Sequence, residues 1–145
     1  MAIYFFCRMT EPNRILTNSE KNLCEYGGAL GVAFAVTCLI QHCIFVIPSP
    51  VTRAMVPPYF FMILAFLFFA FQKPFSIILL IISGVFSLII ELVWLLHISF
   101  SLVVTLLFSY HLIIIITVFV EGIPKKLRMK RDAERAEREI WAGKI

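Results

Sequence analysis

The sequence predicts an all-α membrane protein that crosses a bilayer about four times, as two helical hairpins followed by a charged helix. Of its 145 residues, 61% are hydrophobic and 15% are charged, against roughly 25% charged in ordinary soluble domains. Between Tyr26 and Val120 the only charged residues are Arg53, Lys73 and Glu91. Apolar runs of about 18 or more residues are typical of spanning helices, because lipid offers no water to backbone amides.

Prolines and a capping pattern divide the apolar region into spans. Thr17 with Glu20 three residues later forms a capping-box pattern, which predicts a helix that starts outside the bilayer. Pro48 ends the first span, and Pro74 fits the first turn of the third, where a missing amide costs nothing. As one helix, residues 75–120 would reach roughly 70 Å, more than twice a bilayer core of about 30 Å. A turn is therefore expected at 96–99. The predicted spans are residues 26–46, 57–72, 75–95 and 99–120.

Basic residues on the two tails predict the orientation. The N-terminal segment, residues 1–25, carries Arg8, Arg14 and Lys21, and the C-terminal segment, residues 122–145, carries eight more. With four spans both tails lie on one side, which the positive-inside rule makes cytoplasmic. The second span is short, at about 16 residues, which slightly favours the thin bilayer of the endoplasmic reticulum over the plasma membrane.

Small residues recur every three to four positions along the first span. Such a face lets helix backbones approach closely, which is a main source of helix association in lipid. We expect it to pack against another span of the same chain, with a face for a partner protein as the alternative. The face comprises Cys24, Gly27, Gly28, Gly31, Ala35 and Cys38.

Hydroxyl-bearing faces on the third and fourth spans are predicted to meet. A turn near residue 97 places Glu91 beside Ser101 and Thr105. It also places Ser87 beside Ser109. The two faces comprise Ser83, Ser87 and Glu91, and Ser101, Thr105 and Ser109.

A polar cluster is predicted on the outer side of the membrane, around the one acidic residue within a span. Acidic residues inside spans are costly, so a function is the default hypothesis for Glu91. Pairing of Glu91 with Arg53 or a histidine is the leading interpretation; snorkelling to the interface and a proton or ion site are the alternatives. The cluster comprises Gln41, His42, Arg53, Glu91 and His97.

The sequence contains no recognisable catalytic or metal-binding motif. His111 is the deepest titratable group, and a hydrogen-bonded structural role is favoured over a ligand or relay role. Histidine, serine and glutamate occur outside any hydrolase, zinc-protease or phosphate-loop pattern. The four cysteines lack metal-ligand spacing, so no metal and no cofactor are expected. Cys7 is a weak candidate for acylation, with a free thiol favoured.

A basic block directly follows the fourth span. Its position predicts orientation and binding to anionic lipid headgroups, with a trafficking or partner signal as the alternative. Nucleic acid is not expected as a partner, because these charges lie beside a membrane span. The block comprises Lys125, Lys126, Arg128, Lys130 and Arg131.

Three functions remain open at this point. The first is a non-enzymatic accessory or assembly subunit of a larger membrane complex, whose partners are lipids and other membrane subunits. The small size, minimal loops and glycine face favour it. The second is an oligomeric conduit or carrier for protons, ions or lipid that uses Glu91 and the hydroxyl faces. A membrane enzyme is the third and least favoured.

Overall fold

The computed structural model describes residues 15–143, and within this range the chain forms a bundle of membrane-length helices with one further helix at its end. The helix Ser76–Val93 continues into one π-helical turn, Trp94–Ile98. The helices are α1 (Asn18–Phe45), α2 (Pro50–Ala54), α3 (Val56–Ala70), α4 (Ser76–Val93), α5 (Leu102–Val120) and α6 (Ile123–Ala142).

Within the described residues, four segments are long and apolar enough to cross a membrane, which confirms the all-α membrane fold. Each span packs on the next, and α1 also packs on α5, so the four close into a ring. We call the end where α1 begins and α5 ends the tail end, and the opposite end the loop end. The segments are Asn18–Phe45, Pro50–Ala70, Ser76–Ile98 and Leu102–Val120.

The second span begins earlier than predicted. Ser49 caps α2 through a reciprocal capping box with Thr52. Helix geometry is interrupted at Met55 and resumes at Val56, because the two prolines that follow supply no amides to the carbonyls of the preceding turn. The whole span covers 21 residues, so its length gives no reason to favour a thin membrane such as the endoplasmic reticulum.

The turn between the third and fourth spans also lies a few residues beyond the predicted one. The Ser99 amide donates to the Trp94 carbonyl at 2.9 Å, which closes the third span as a π turn. The Ser101 hydroxyl then caps α5 by accepting from the Val104 amide. A side-chain cap therefore takes the place of the glycine or proline that the sequence lacks here.

The hairpin between the second and third spans ends α3 with a left-handed residue. Gln72 has φ of 55°, a conformation that costs a residue with a side chain more than it costs glycine. The Lys73 amide donates to the Phe68 carbonyl at 3.1 Å, and the Gln72 amide donates to the Phe69 carbonyl at 2.9 Å. This is the Schellman pattern, which satisfies the free carbonyls at the helix end.

The small-residue face of α1 is used within the chain, mainly against α3. A Cβ atom at Gly28 would lie 2.7 Å from both the Phe66 carbonyl oxygen and the Ala70 amide nitrogen. At Gly31 a Cβ would lie 2.3 Å from the Phe66 ring. Gly27 turns toward α5 instead, where its carbonyl accepts from the Tyr110 hydroxyl at 2.5 Å. Cys24, Ala35 and Cys38 are fully buried.

We predict that Gly28→Ala destabilises the bundle by about 1–3 kcal/mol, because the added methyl meets backbone atoms that have no rotamer to escape into. Gly84→Ala is the matched control, since its Cβ would meet only the terminal methyl of Ile115. Both substitutions raise helix propensity. Unfolding in mild detergent by SDS titration measures the difference. Equal stability of the two variants would contradict the close backbone contact.

Candidate functional site

A chain of hydrogen bonds links three spans near the loop end. The Gln41 amide donates from Nε2 to Ser101 Oγ at 3.0 Å, which joins α1 to the start of α5. The Thr105 hydroxyl donates to Glu91 Oε1 at 2.7 Å and lies 3.1 Å from the Ser101 carbonyl oxygen. The predicted proximity of Glu91 to Thr105 is therefore present.

The predicted pairing of Glu91 with Arg53 or a histidine is wrong. Arg53 and His97 are exposed, and no ion pair involves Glu91 in the described part of the chain. Arg53 lines a cavity beside His42, on the α2 side of the bundle, whereas Glu91 faces α5. The second carboxylate oxygen, Oε2, is buried and has no hydrogen-bond partner among the described residues. The predicted cluster thus separates into different parts of the loop end.

His42 belongs to a second buried group, formed with aromatic residues that were not among the predicted site residues. Its Nε2 lies 2.9 Å from the Thr52 carbonyl oxygen, to which it donates. The imidazole packs 5.6 Å from the Tyr59 ring and 6.2 Å from the Trp94 ring. The Trp94 indole donates to the Tyr59 hydroxyl at 3.2 Å. Buried tyrosine and tryptophan side chains need hydrogen-bond partners for their O–H and N–H groups. The presence of Tyr59 and Trp94 in apolar spans was therefore the sequence signal that could have indicated this group.

His111 and Ser83 form the deepest polar pair. The serine Oγ and the imidazole Nε2 are 2.9 Å apart, both residues are fully buried, and the Phe66 ring lies 4.4 Å from the imidazole. The expected contact of Ser87 with Ser109 is absent: Ser87 Oγ donates to the Gly84 carbonyl of its own helix, and Ser109 is exposed.

The predicted contact between Ser87 and Ser109 is absent for a geometric reason. The buried stripe of α5 runs through Val104, Leu107, His111 and Ile114. Ser109 lies between the members of this stripe and so projects from the opposite side of the helix. Ser109 does lie one turn beyond Thr105 on the same side of α5, as the spacing of four residues predicts. Thr105 itself, however, lies at the edge of the interface.

At the tail end, ion pairing fixes the base of α6 to α1. The Lys126 ammonium contacts Glu20 Oε1, and Glu20 is only 5% exposed. The same carboxylate accepts from the Thr17 amide through Oε2, at 2.9 Å, while the Thr17 hydroxyl accepts from the Glu20 amide. The predicted capping box is therefore present, and its glutamate also holds α6.

Gln72 connects three helices at the same end. Its Nε2 donates to Glu25 Oε1 of α1 at 3.1 Å, and its Oε1 accepts from the Lys130 ammonium of α6 at 2.7 Å. Glycine would occupy this left-handed position at lower cost, but it has no side chain to form the bridge. The positive φ of Gln72 was not visible in the sequence.

The predicted basic block divides into two groups. Lys126 and Lys130 are held by Glu20 and Gln72, as described above. Ile123 and Leu127 bury the adjacent face of α6. The remaining three basic side chains, Lys125, Arg128 and Arg131, are exposed.

Within residues 15–143 no group of three histidine, cysteine or acidic side chains is placed to hold a metal ion. Cys24 and Cys38 are buried free thiols, and Cys43 is an exposed one. The predictions made for Cys7, Arg8 and Arg14 lie outside the described residues.

Comparison of the chain with known proteins found no matching family model, no matching curated protein and no matching solved structure.

We predict that Lys126→Ala loosens the base of α6, whereas Lys125→Ala, one residue away and exposed, does not. Removal of the Lys126 ammonium takes a charged partner from the buried Glu20 carboxylate, which costs about 1–3 kcal/mol of stability. Amide hydrogen exchange across residues 123–131 measures the change. Equal exchange rates in the two variants would contradict an anchoring role for Lys126.

Proposed function

We propose that the chain is a non-enzymatic accessory or assembly subunit of a larger membrane complex, and that the distal half of α6 contacts its partner. The observation that supports this most directly is an exposed apolar stripe. Its members alternate in spacings of four and three residues, as the a and d positions of a coiled coil do. Met129 is 51% exposed and Ile140 is 53% exposed. The stripe comprises Met129, Ala133, Ala136 and Ile140.

The charge of this segment favours a protein over a lipid surface. From Asp132 to Ala142 there are four acidic and two basic side chains. A segment with net negative charge is repelled by anionic headgroups. Asp132, Glu137 and Glu139 flank the stripe, at the positions that select coiled-coil partners by charge. A helix with lysine or arginine at the facing positions is the complementary partner.

The spans serve as the anchor in this proposal. The small-residue face of α1 is covered by α3 and α5, whereas the distal half of α6 is largely exposed, so we assign recruitment to α6. The tails carry more lysine and arginine than the loops, which favours a cytoplasmic tail end by the positive-inside rule. The partner helix would then be cytoplasmic or belong to the cytoplasmic part of another membrane subunit.

We predict that Ala136→Glu weakens partner retention, while Arg138→Gln preserves it. Each substitution lowers the charge of α6 by one, but only the first alters the stripe. Arg138 projects from the other side, where its Nε donates to the Glu134 carbonyl of its own helix. The readout is the yield of one defined complex after mild-detergent purification from native membranes, compared between the two variants.

A photo-crosslinking residue placed at 136 should capture the same protein that is lost in Ala136→Glu, and a crosslinker at 138 should not. A monomeric particle without any co-purifying protein would overturn the proposal. So would equal retention by both variants.

A second candidate function, an oligomeric conduit or carrier for protons, ions or lipid, is favoured by one observation. Glu91 has a buried oxygen without a hydrogen-bond partner among the described residues, and its other oxygen begins the chain through Thr105 and Ser101 to Gln41. An acidic residue with spare acceptor capacity inside a span is typical of ion and proton pathways.

For this candidate we expect proteoliposomes to show proton flux that Glu91→Gln reduces to the level of empty liposomes. Glu121→Gln is the control, because Glu121 is exposed at the end of α5. A pH-sensitive dye inside the liposomes measures the flux. Equal flux in the wild-type chain and in Glu91→Gln would remove this function.

A further inference from the structure

A groove at the tail end lies between the start of α4 and the first turns of α6. Its volume is about 430 Å³, within the range of roughly 300–1,000 Å³ that is typical of ligand sites. One wall is apolar and the other carries two arginines. The walls include Pro74, Phe75 and Ile78, and Pro124, Arg128 and Arg131.

The apolar wall of the groove is continuous with the surface that faces lipid. Phe75 is 47% exposed and Ile78 is 59% exposed, and both stand at the tail-end terminus of the third span, whose first residue is Ser76. Side chains at the end of a span lie where the acyl region meets the headgroups. The groove therefore opens at headgroup depth.

The two arginines have donor capacity left for an anion. Arg128 is exposed and forms no ion pair with any residue from 15 to 143. Arg131 donates from Nε and Nη2 to Asp132 Oδ1, at 3.0 and 2.9 Å, which leaves its Nη1 outside that pair. A guanidinium presents several N–H groups in one plane and so suits the oxygens of a phosphate.

We propose that this groove binds one anionic phospholipid, with the headgroup phosphate between Arg128 and Arg131 and an acyl chain along Phe75 and Ile78. The apolar wall favours a lipid over free phosphate, because only a lipid covers it. Lys126 and Lys130 do not take part, since they hold Glu20 and Gln72. The site is separate from the partner stripe and does not depend on the proposed subunit function.

The test uses the full chain in mild detergent, titrated with phosphatidylglycerol and with phosphatidylcholine and followed by native mass spectrometry. The wild-type chain should prefer phosphatidylglycerol. Arg128→Gln should weaken binding of that lipid by roughly fivefold, the effect of one basic residue near a membrane surface. Lys125→Gln is the matched control, because it removes the same charge from the same helix but does not line the groove, and it should change the affinity less than twofold.

Two further variants test the groove: the first separates it from diffuse attraction, and the second tests the part taken by Arg131. Ile78→Trp fills the apolar wall without altering charge and should also weaken phosphatidylglycerol binding. Asp132→Asn frees Arg131 and should strengthen it. Equal effects of Arg128→Gln and Lys125→Gln, or an unchanged affinity in Ile78→Trp, would overturn the proposal. Displacement of the lipid by equimolar glycerol phosphate would also overturn it, since a soluble phosphate would then be the ligand.

Discussion

The close approach of α1 and α3 is the contact on which the rest of the bundle depends. At Gly28 and Gly31 no side chain separates the two helices, so the Phe66 ring and the backbone of its turn lie directly on α1. In lipid this packing has to come from van der Waals contact, because apolar burial gives no net drive there. The two helices run antiparallel, so the end of α3 is brought to the start of α1. That is why the side-chain amide of Gln72 reaches Glu25, and why Lys130 can contact the same amide group.

The polar residues inside the spans follow a second constraint, which is that each needs a partner where water is absent. Ser83 meets it with His111, and Trp94 meets it with Tyr59. These bonds favour one rotation of α3, α4 and α5 about their axes, because a rotated helix would leave the polar atoms in hydrocarbon. Among the described residues, four buried side-chain atoms lack such a partner: Glu91 Oε2, His42 Nδ1, Ser76 Oγ and His111 Nδ1. Glu91 is the acidic residue of this group, and for that reason a conduit is retained as a second candidate function.

Sequence reasoning predicted most of the architecture, because hydrophobicity and proline positions follow directly from the physics of a bilayer. The spans come from hydrophobicity and prolines along the chain, and the α1 glycine face and the Thr17–Glu20 cap come from spacing along one helix. Contacts between helices were harder to predict. Spacing of four relates Ser109 to Thr105, but it does not give the rotation that leaves Ser109 exposed. Arg53 was placed near Glu91 by membrane depth alone, and depth does not distinguish the α2 side of the bundle from the α5 side.

Other features had no reliable signal in the sequence. The left-handed conformation of Gln72 depends on the Schellman turn that ends α3, and glutamine is not a residue that predicts such a turn. The start of the second span at Pro50 depends on the Ser49–Thr52 capping box. The second span was predicted to begin at Pro57, seven residues too late, because prolines such as Pro57 and Pro58 favour the first turn of a helix. Here they follow an interruption inside the span.

The α6 helix carries opposite charges in its two halves, and this division would let one helix form both of the proposed contacts. Its first half is basic and lies against the tail end of the bundle, where Lys126 and Lys130 contact other helices and Arg128 and Arg131 line the groove. Its second half is acidic and exposed. Anionic headgroups attract the first half and repel the second. A lipid bound in the proposed groove would therefore hold the base of α6 at the membrane while the acidic half stays in water. That arrangement keeps the apolar stripe from Met129 to Ile140 available to a partner helix. The lipid and the partner would bind the same helix. Any change that the bound lipid makes in the free energy of partner binding must therefore equal the change that the bound partner makes in the free energy of lipid binding.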